Sequence, residues 1–270
     1  MAKEGSPYRK TFVGGNIGTP MIAVVDQMTS DDLAVMELSS FQLELMSRSP
    51  HVAAVLNIAP NHLDRHGTME AYTAAKLNIL RYQSSEDVAV LWRDDIDSWS
   101  LAERVRGRLY SYGRTQLPNG EWGSFIENGS IWLRTGEGQV EVMPIEDNKL
   151  RGEHNLLNVT AACIIAAAVG LPVEAMRAGV EGFTGVPHRL ELVRSWGGAD
   201  WFNDSKATAP QMAVTAIKAF DEPLVVLAGG RDKHLPWDEF AQVAAERVDH
   251  LILFGEAVEV IRAALDDEAA

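Results

Sequence analysis

The chain has 270 residues, with 24 basic against 38 acidic side chains and a formal net charge of −14. Its 46% hydrophobic and 23% charged residues are ordinary for a globular protein with a sizeable core, which argues against intrinsic disorder. The acidic balance argues against nonspecific nucleic-acid binding, and a single cysteine, Cys163, rules out an internal disulfide.

The length allows one large domain or two ordinary ones. The longest small-and-apolar stretch, Val159 to Val173, contains Thr160, Gly170 and Pro172. It falls short of the ~20 residues a membrane span needs. The opening MAKEGSPYRK is polar and has no apolar signal region. The expectation is a soluble cytoplasmic protein with no nucleic-acid or membrane partner. Cys163 sits in an alanine-rich apolar run and reads as packing.

In chain order, AVMEL (34–38) and VAAVLNI (52–58) are short apolar runs that end in polar residues, the pattern of buried parallel strands. SSFQLELMSRS between them reads as a short crossover helix. MEAYTAAKLNILRY (69–82) is a helix started by Gly67 and Thr68. From Asp87 to Pro144 the segments VAVLW, RLYSY, SFIENGSIWLR and QVEVM alternate, with turns at Asn128-Gly129 and Thr135-Gly136. That predicts a β-hairpin region on the flank of the sheet. A helix follows from Asn155 to Val169, stopped by Gly170 and Pro172. Trp201-Phe202 then leads into a helix at Pro210 to Phe220. Strands at Leu224 to Ala228 and Leu251 to Phe254 end in glycines. The class is α/β, a mostly parallel sheet with flanking helices and an antiparallel β flank. GFTGVP (182–187) marks a domain boundary.

Open α/β sheets bind ligands beyond the carboxyl ends of their strands. Glu37 ends the first strand, where a buried carboxylate needs a cation or donors such as Ser39 and Ser40. NIAPNHLDRH (57–66) gathers His62, Asp64 and His66, donors that suit a divalent cation or an ordinary polar loop. Lys76 has apolar helix neighbours. It either snorkels to solvent or carries a neutral amine able to add carbon dioxide as a metal-binding carbamate. In NDSKATAP (203–210), Asp204, Ser205 and Thr208 offer helix caps. With Lys206 they could form an anion site. Gly14-Gly15-Asn16-Ile17-Gly18 lets backbone approach a ligand but does not match the dinucleotide fingerprint. Asn155 and Asn158 share one helix face, suited to a nucleotide or to starting the helix.

Taken in order, GGNIGTP (14–20), ELSSFQLE (37–44), NIAPNHLDRH (57–66), AAKLNIL (74–80), GEHNLLN (152–158), PHRLE (187–191), NDSKAT (203–208) and LAGGRDK (227–233) closely resemble the Mur ligases. The resemblance covers essentially the whole chain. It implies ATP-dependent amide bond formation through an acyl phosphate in peptidoglycan synthesis. Implied small-molecule substrates are UDP-N-acetylmuramoyl-L-alanine and D-glutamate. It implies Glu37, His62 and a carbamylated Lys76 as magnesium (Mg2+) ligands, with Lys76 and His62 catalytic. Gly15, Asn16 and Ser39 would meet the UDP-sugar peptide. Asn155, Asn158, Arg189, Asp204 and Lys206 would hold ATP. Thr208 and Lys233 would meet the incoming amino acid.

The family pattern also has an N-terminal UDP-binding domain, a phosphate-binding loop of the GTNGKT type ahead of GGNIGTP, and a later C-terminal segment. Here 13 residues precede Gly14, and no Gly-Lys-Ser or Gly-Lys-Thr run occurs. The expectation is a central ATPase domain over 1–184 without its first strand-loop-helix. A truncated Rossmann-like amino-acid-binding domain would follow over 185–270, with little ligase activity from this polypeptide alone. A non-catalytic nucleotide or UDP-sugar binding remnant and a folylpolyglutamate-synthase-like ligase are the competing expectations.

Overall fold

The computed structural model describes residues 6–60 and 62–268, without the side chain of Asp64. The chain forms two compact units. The first comprises the residues up to Asn148 together with Leu157–Phe183, and the second comprises Lys149–Leu156 with the residues from Thr184 on.

In the first unit, β1 (Thr11–Gly15) and β2 (Leu33–Glu37) pair in parallel, with Gly15 opposite Glu37. The short helix α1 (Ser40–Glu44) follows, opened by a capping box between Ser39 and Gln42. A separate six-stranded sheet runs in the order β3 (Val52–Val55), β4 (Val88–Trp92), β5 (Arg108–Gly113), β6 (Trp122–Glu127), β7 (Ser130–Thr135) and β8 (Gly138–Pro144). Pairings from β3 to β6 are parallel, and β6–β7–β8 is an antiparallel meander. Between β3 and β4 lie α2 (Leu63–His66) and α3 (Met69–Arg81), and α4 (Ile96–Trp99) follows β4. Ala53, Val55, Tyr72, Leu80, Ala89 and Leu91 form the core where α3 covers the sheet.

The expected hairpin region holds only in part. Asn128 and Gly129 both have positive φ, 50° and 75°, and form the tight turn between β6 and β7. VAVLW and RLYSY, however, are parallel members of the main sheet. Val88 to Leu91 are all buried, because β4 is paired on both sides and lies within the sheet. The first strand also departs from expectation. Its residues Ala34 to Glu37 are exposed, since β2 pairs with β1 and not with the main sheet.

The helix α5 (Glu153–Ala168) begins within the second unit and ends within the first. α6 (Val173–Glu181) follows after Gly170 and Pro172. Cys163 is 0% exposed, and burial pushes its thiol up to about 12, so it packs and does not react.

The second unit holds an antiparallel hairpin, β9 (Glu191–Trp196) and β10 (Ala199–Asn203), turned by Gly197-Gly198 at φ 66° and 80°. After α7 (Pro210–Ile217) come β11 (Val225–Gly230), α8 (Asp238–Arg247), β12 (His250–Gly255) and α9 (Val258–Glu268). β11 and β12 are parallel, as a strand-helix-strand crossover requires. Val226, Ala228, Leu251 and Leu253 pack on a core of Val214, Ile217, Phe240, Val243, Ala244, Ala257 and Ile261. Among the described residues no helix is long and apolar enough to cross a membrane.

A polar clasp beside the main sheet gives a stability prediction. Asp87 accepts from Ser84 N–H at 2.7 Å, from Ser84 Oγ at 2.9 Å and from His51 Nδ1 at 2.6 Å. Those donors, the Ser84 backbone first, hold its carboxyl below the ordinary aspartate range. A lowered folded-state pKa stabilises the fold fully above the unfolded value of about 3.9, and the contribution disappears as pH falls through the folded value. Asp87→Asn is therefore expected to cost about 1 kcal/mol at pH 7. The deficit should shrink below about pH 4. Urea unfolding of both proteins at pH 7 and pH 3 checks this, and an equal deficit at both pH values contradicts it.

Candidate functional site

Glu37 is the last residue of β2, and its backbone is held by the end of β1 alongside it. Asn16 N–H donates to Glu37 O at 2.8 Å. Gly15, at φ 113°, lies so close that a Cβ there would collide with the Glu37 carbonyl. The close approach allowed by this glycine is thus to the neighbouring strand, which places Gly15 and Asn16 beside Glu37. The expected burial of Glu37 does not occur, because β2 is exposed. Nor do Ser39 and Ser40 spend their hydroxyls on it. Ser39 caps α1 through Gln42, with Gln42 N–H at 3.3 Å, and Ser40 Oγ meets His66 Nε2 at 2.9 Å.

His62 occupies the cap position before α2 in the left-handed region, φ 53° and ψ 32°. A non-glycine residue held there marks a position fixed by its surroundings. Its ring meets Phe41 edge-on at 5.2 Å. Phe41 also stacks on His66 at 5.1 Å, and His66 lies 5.3 Å from Tyr72. Lys76 Nζ sits over the Tyr72 ring, 5.1 Å from its centroid. Lys76 is half-buried. Burial pushes its ammonium below the ordinary lysine value, and the Glu37 carboxylate opposes that shift. Glu37, His62 and Lys76 belong to one cluster that joins β2, α1, α2 and α3. Asn61 and the side chain of Asp64 lie outside the described residues.

Among the described residues no three His, Cys, Asp or Glu side chains converge as a metal site. Glu37 and His62 supply one carboxylate and one imidazole, and the third position is an amine. As a cation Lys76 would repel a metal, whereas as a carbamate it would supply an anionic oxygen. The donor set fits magnesium only with Lys76 carboxylated.

A second polar cluster lies wholly in the second unit. Asp204 Oδ1 accepts from Leu190 N–H at 3.1 Å. Leu190 and His188 have left-handed φ of 42° and 68°, flanking Arg189. Burial raises the Asp204 carboxyl, while the Leu190 N–H, Arg189 and His154 each oppose that rise. Burial lowers the His154 imidazole, with Asp204 acting against it. The structure therefore brings Asp204, Arg189 and His154 together. Sequence reading missed His154, although it lies inside GEHNLLN, and it gave Leu190 no role.

The expected capping of α7 is corrected. Its cap position is Ala209 with no side-chain cap, and Pro210 opens the helix. Asp204 and Ser205 lie too far upstream to reach the first helical N–H groups. Ser205 N–H instead turns to Asn203 Oδ1 at 3.0 Å, and Lys206 N–H to His188 O at 3.1 Å. Those two backbone donors are thus spent internally. The Lys206, Thr208 and Lys233 residues are exposed, Lys233 in the loop after β11. Asn155 Nδ2 donates to Arg151 O at 2.7 Å at the start of α5, and Asn158 is exposed on the same helix.

Residues 11–166 match the Mur ligase middle domain, and residues 188–270 match the Mur ligase glutamate ligase domain. The chain belongs to the Mur ligase family. Among curated relatives, the UDP-N-acetylmuramoylalanine–D-glutamate ligase of Symbiobacterium thermophilum is 43% identical over 257 residues, 95% of this chain and 56% of that protein. The ligase of the same name from Acetivibrio thermocellus is 38% identical over 96% of this chain and 55% of its own length. The chain thus spans about half the length of the curated relatives it matches. The MurF ligase of Thermotoga maritima, solved in complex with ADP, shares the fold at a TM-score of 0.63 and 21% identity, over 95% of this chain and 67% of that one. In Mur ligase terms, the Glu37–His62–Lys76 cluster lies in the middle domain and the Asp204–Arg189 cluster in the glutamate ligase domain.

Proposed function

We propose that this chain is part of an ATP-dependent ligase that joins D-glutamate to UDP-N-acetylmuramoyl-L-alanine in peptidoglycan synthesis. The observation that carries the reading is the half-buried Lys76 facing the Glu37 carboxylate, with His62 in the same cluster. Phosphoryl transfer spreads negative charge over the moving group, so catalysis there is largely positioning and neutralisation. The substrate carboxylate attacks the γ-phosphorus of ATP and ADP leaves, giving an acyl phosphate. The D-glutamate amine then attacks the acyl carbon, phosphate leaves, and the nitrogen loses a proton to give the amide.

Glu37, His62 and carbamylated Lys76 hold magnesium in this reading. When bound, magnesium supplies positive charge against the phosphate oxygens. Residues 1–184 form the ATPase domain and 185–270 the amino-acid domain. Gly15, Asn16 and Ser39 face the UDP-sugar peptide. Asn155, Asn158, Arg189, Asp204 and Lys206 hold the nucleotide, and Thr208 and Lys233 receive D-glutamate. The close placement of Arg189 and Asp204 supports the nucleotide assignment.

The test offers ATP with UDP-N-acetylmuramoyl-L-alanine and D-glutamate, and in parallel ATP with a folate and L-glutamate. These 270 residues contain no Gly-Lys-Ser or Gly-Lys-Thr run. Slow turnover is therefore expected from them alone, and substrate preference is the deciding readout. Where turnover is below detection, equilibrium binding of the two acceptors gives the same comparison. Preference for the UDP-sugar supports the reading, and preference for the folate overturns it.

A further inference from the structure

His66 is in the same cluster as the three candidate ligands but is not one of them. Its side chain is 1% exposed. A buried imidazole is costly unless its nitrogens are paired, and here both are. Nδ1 lies 3.1 Å from Glu44 Oε1, and Nε2 lies 2.9 Å from Ser40 Oγ. The Glu44 carboxylate can only accept, so Nδ1 donates to it, and Nε2 is paired with the Ser40 hydroxyl. Ser40 and Glu44 are the first and last residues of α1, so one ring grips that helix at both ends. The ring plane is set as well, stacked on Phe41 with an interplanar angle of 6°.

From this one ring the contacts run outward to all three candidate ligands. α1 starts three residues after Glu37. Phe41, stacked on His66, meets the ring of His62. Tyr72, also against His66, carries the Lys76 side chain over its ring. We infer that His66 is a positioning residue that locks α1 to α2 and α3 and so sets the mutual geometry of Glu37, His62 and Lys76. Both of its ring nitrogens being paired within the protein, it acts through those partners and not as a ligand itself. An apolar side chain could fill the same space, but it would leave Ser40 and Glu44 unpaired and α1 free to shift. The inference rests on the reading of those three residues as a metal-binding group. Partners that orient metal ligands in this way are typically worth about 10–100-fold in affinity.

The test is Mn2+ affinity of the 270-residue chain in bicarbonate buffer, read by electron paramagnetic resonance of free Mn2+ and normalised to the folded fraction from circular dichroism. His66→Phe, which keeps a ring but no hydrogen bonds, should weaken binding about tenfold. His66→Gln retains a donor and an acceptor and should return to within about threefold of wild type. Ser40→Ala removes the Nε2 partner and should weaken binding several-fold. If His66→Phe fails to fold, the Gln and Ser40 variants decide. Wild-type affinity in folded His66→Phe or in Ser40→Ala overturns the inference. Glu37→Ala separates it from the reading beneath. A wild type that binds no better than Glu37→Ala overturns both. A wild type that binds better than Glu37→Ala but no better than His66→Phe overturns the role of His66 alone.

Discussion

Lys76→Ala is expected to remove a carbamate carbonyl signal from the protein equilibrated with 13C-bicarbonate, and to weaken Mn2+ binding about 100-fold. On the proposed reading the neutral amine adds carbon dioxide, forming an N–C bond and releasing a proton. This addition needs an amine that sheds its proton more easily than a solvated lysine does. Burial of Lys76 supplies that tendency. Glu37 opposes it while Lys76 is a cation, since the carboxylate favours the ammonium. Glu37→Ala should therefore retain or strengthen the carbamate signal of the metal-free protein while weakening metal binding. Lys76→Arg should behave like Lys76→Ala, because a guanidinium stays protonated and does not add carbon dioxide. Unchanged Mn2+ affinity in Lys76→Ala contradicts the whole arrangement. A carbamate signal that persists in that variant places the modification elsewhere.

Phe240→Ala is expected to destabilise the second unit by about 3–5 kcal/mol, enough to unfold much of it at 37 °C. Phe240 is 0% exposed and meets Trp237 in a T-shaped contact at 5.3 Å. Around it pack Val214 and Ile217 of α7, Val243 and Ala244 of α8, and Ile261 of α9. Removing the ring takes away the piece common to three helices, and their backbones cannot close the gap without leaving β11 and β12. For a unit of this size each kcal/mol moves the melting midpoint by about 4–8 °C, so the second unit should melt about 12 °C or more below wild type. Differential scanning calorimetry, with Trp237 fluorescence as local reporter, measures this. A midpoint lowered by less than about 3 °C contradicts the assignment of Phe240 as the centre of that core.

Local pattern made much of the fold legible. The helix read over 69–82 forms over Met69–Arg81, because its apolar spacing and the Thr68 cap are local signals. Asn128-Gly129 turns the chain as expected, since left-handed backbone is a property of those two residues. The helices α8 and α9 and the strand β1 were not read. β1 is five residues long and ends in glycines, and α8 and α9 are short runs rich in charged residues. The parallel placement of VAVLW and RLYSY was also beyond local pattern, because alternation does not say which strand lies alongside.

The candidate site divides in the same way. Residue chemistry and the order of motifs singled out Glu37, His62, Lys76, Arg189 and Asp204 from the sequence alone, since carboxylate, imidazole, amine and guanidinium are side-chain properties. Only the folded chain decided their surroundings. Glu37 is exposed, Lys76 is desolvated against it, and Asp204 turns to Leu190 and not to a helix end. Desolvation and Coulomb interaction depend on what other segments bring alongside, and those segments lie 14 to 39 residues away along the chain.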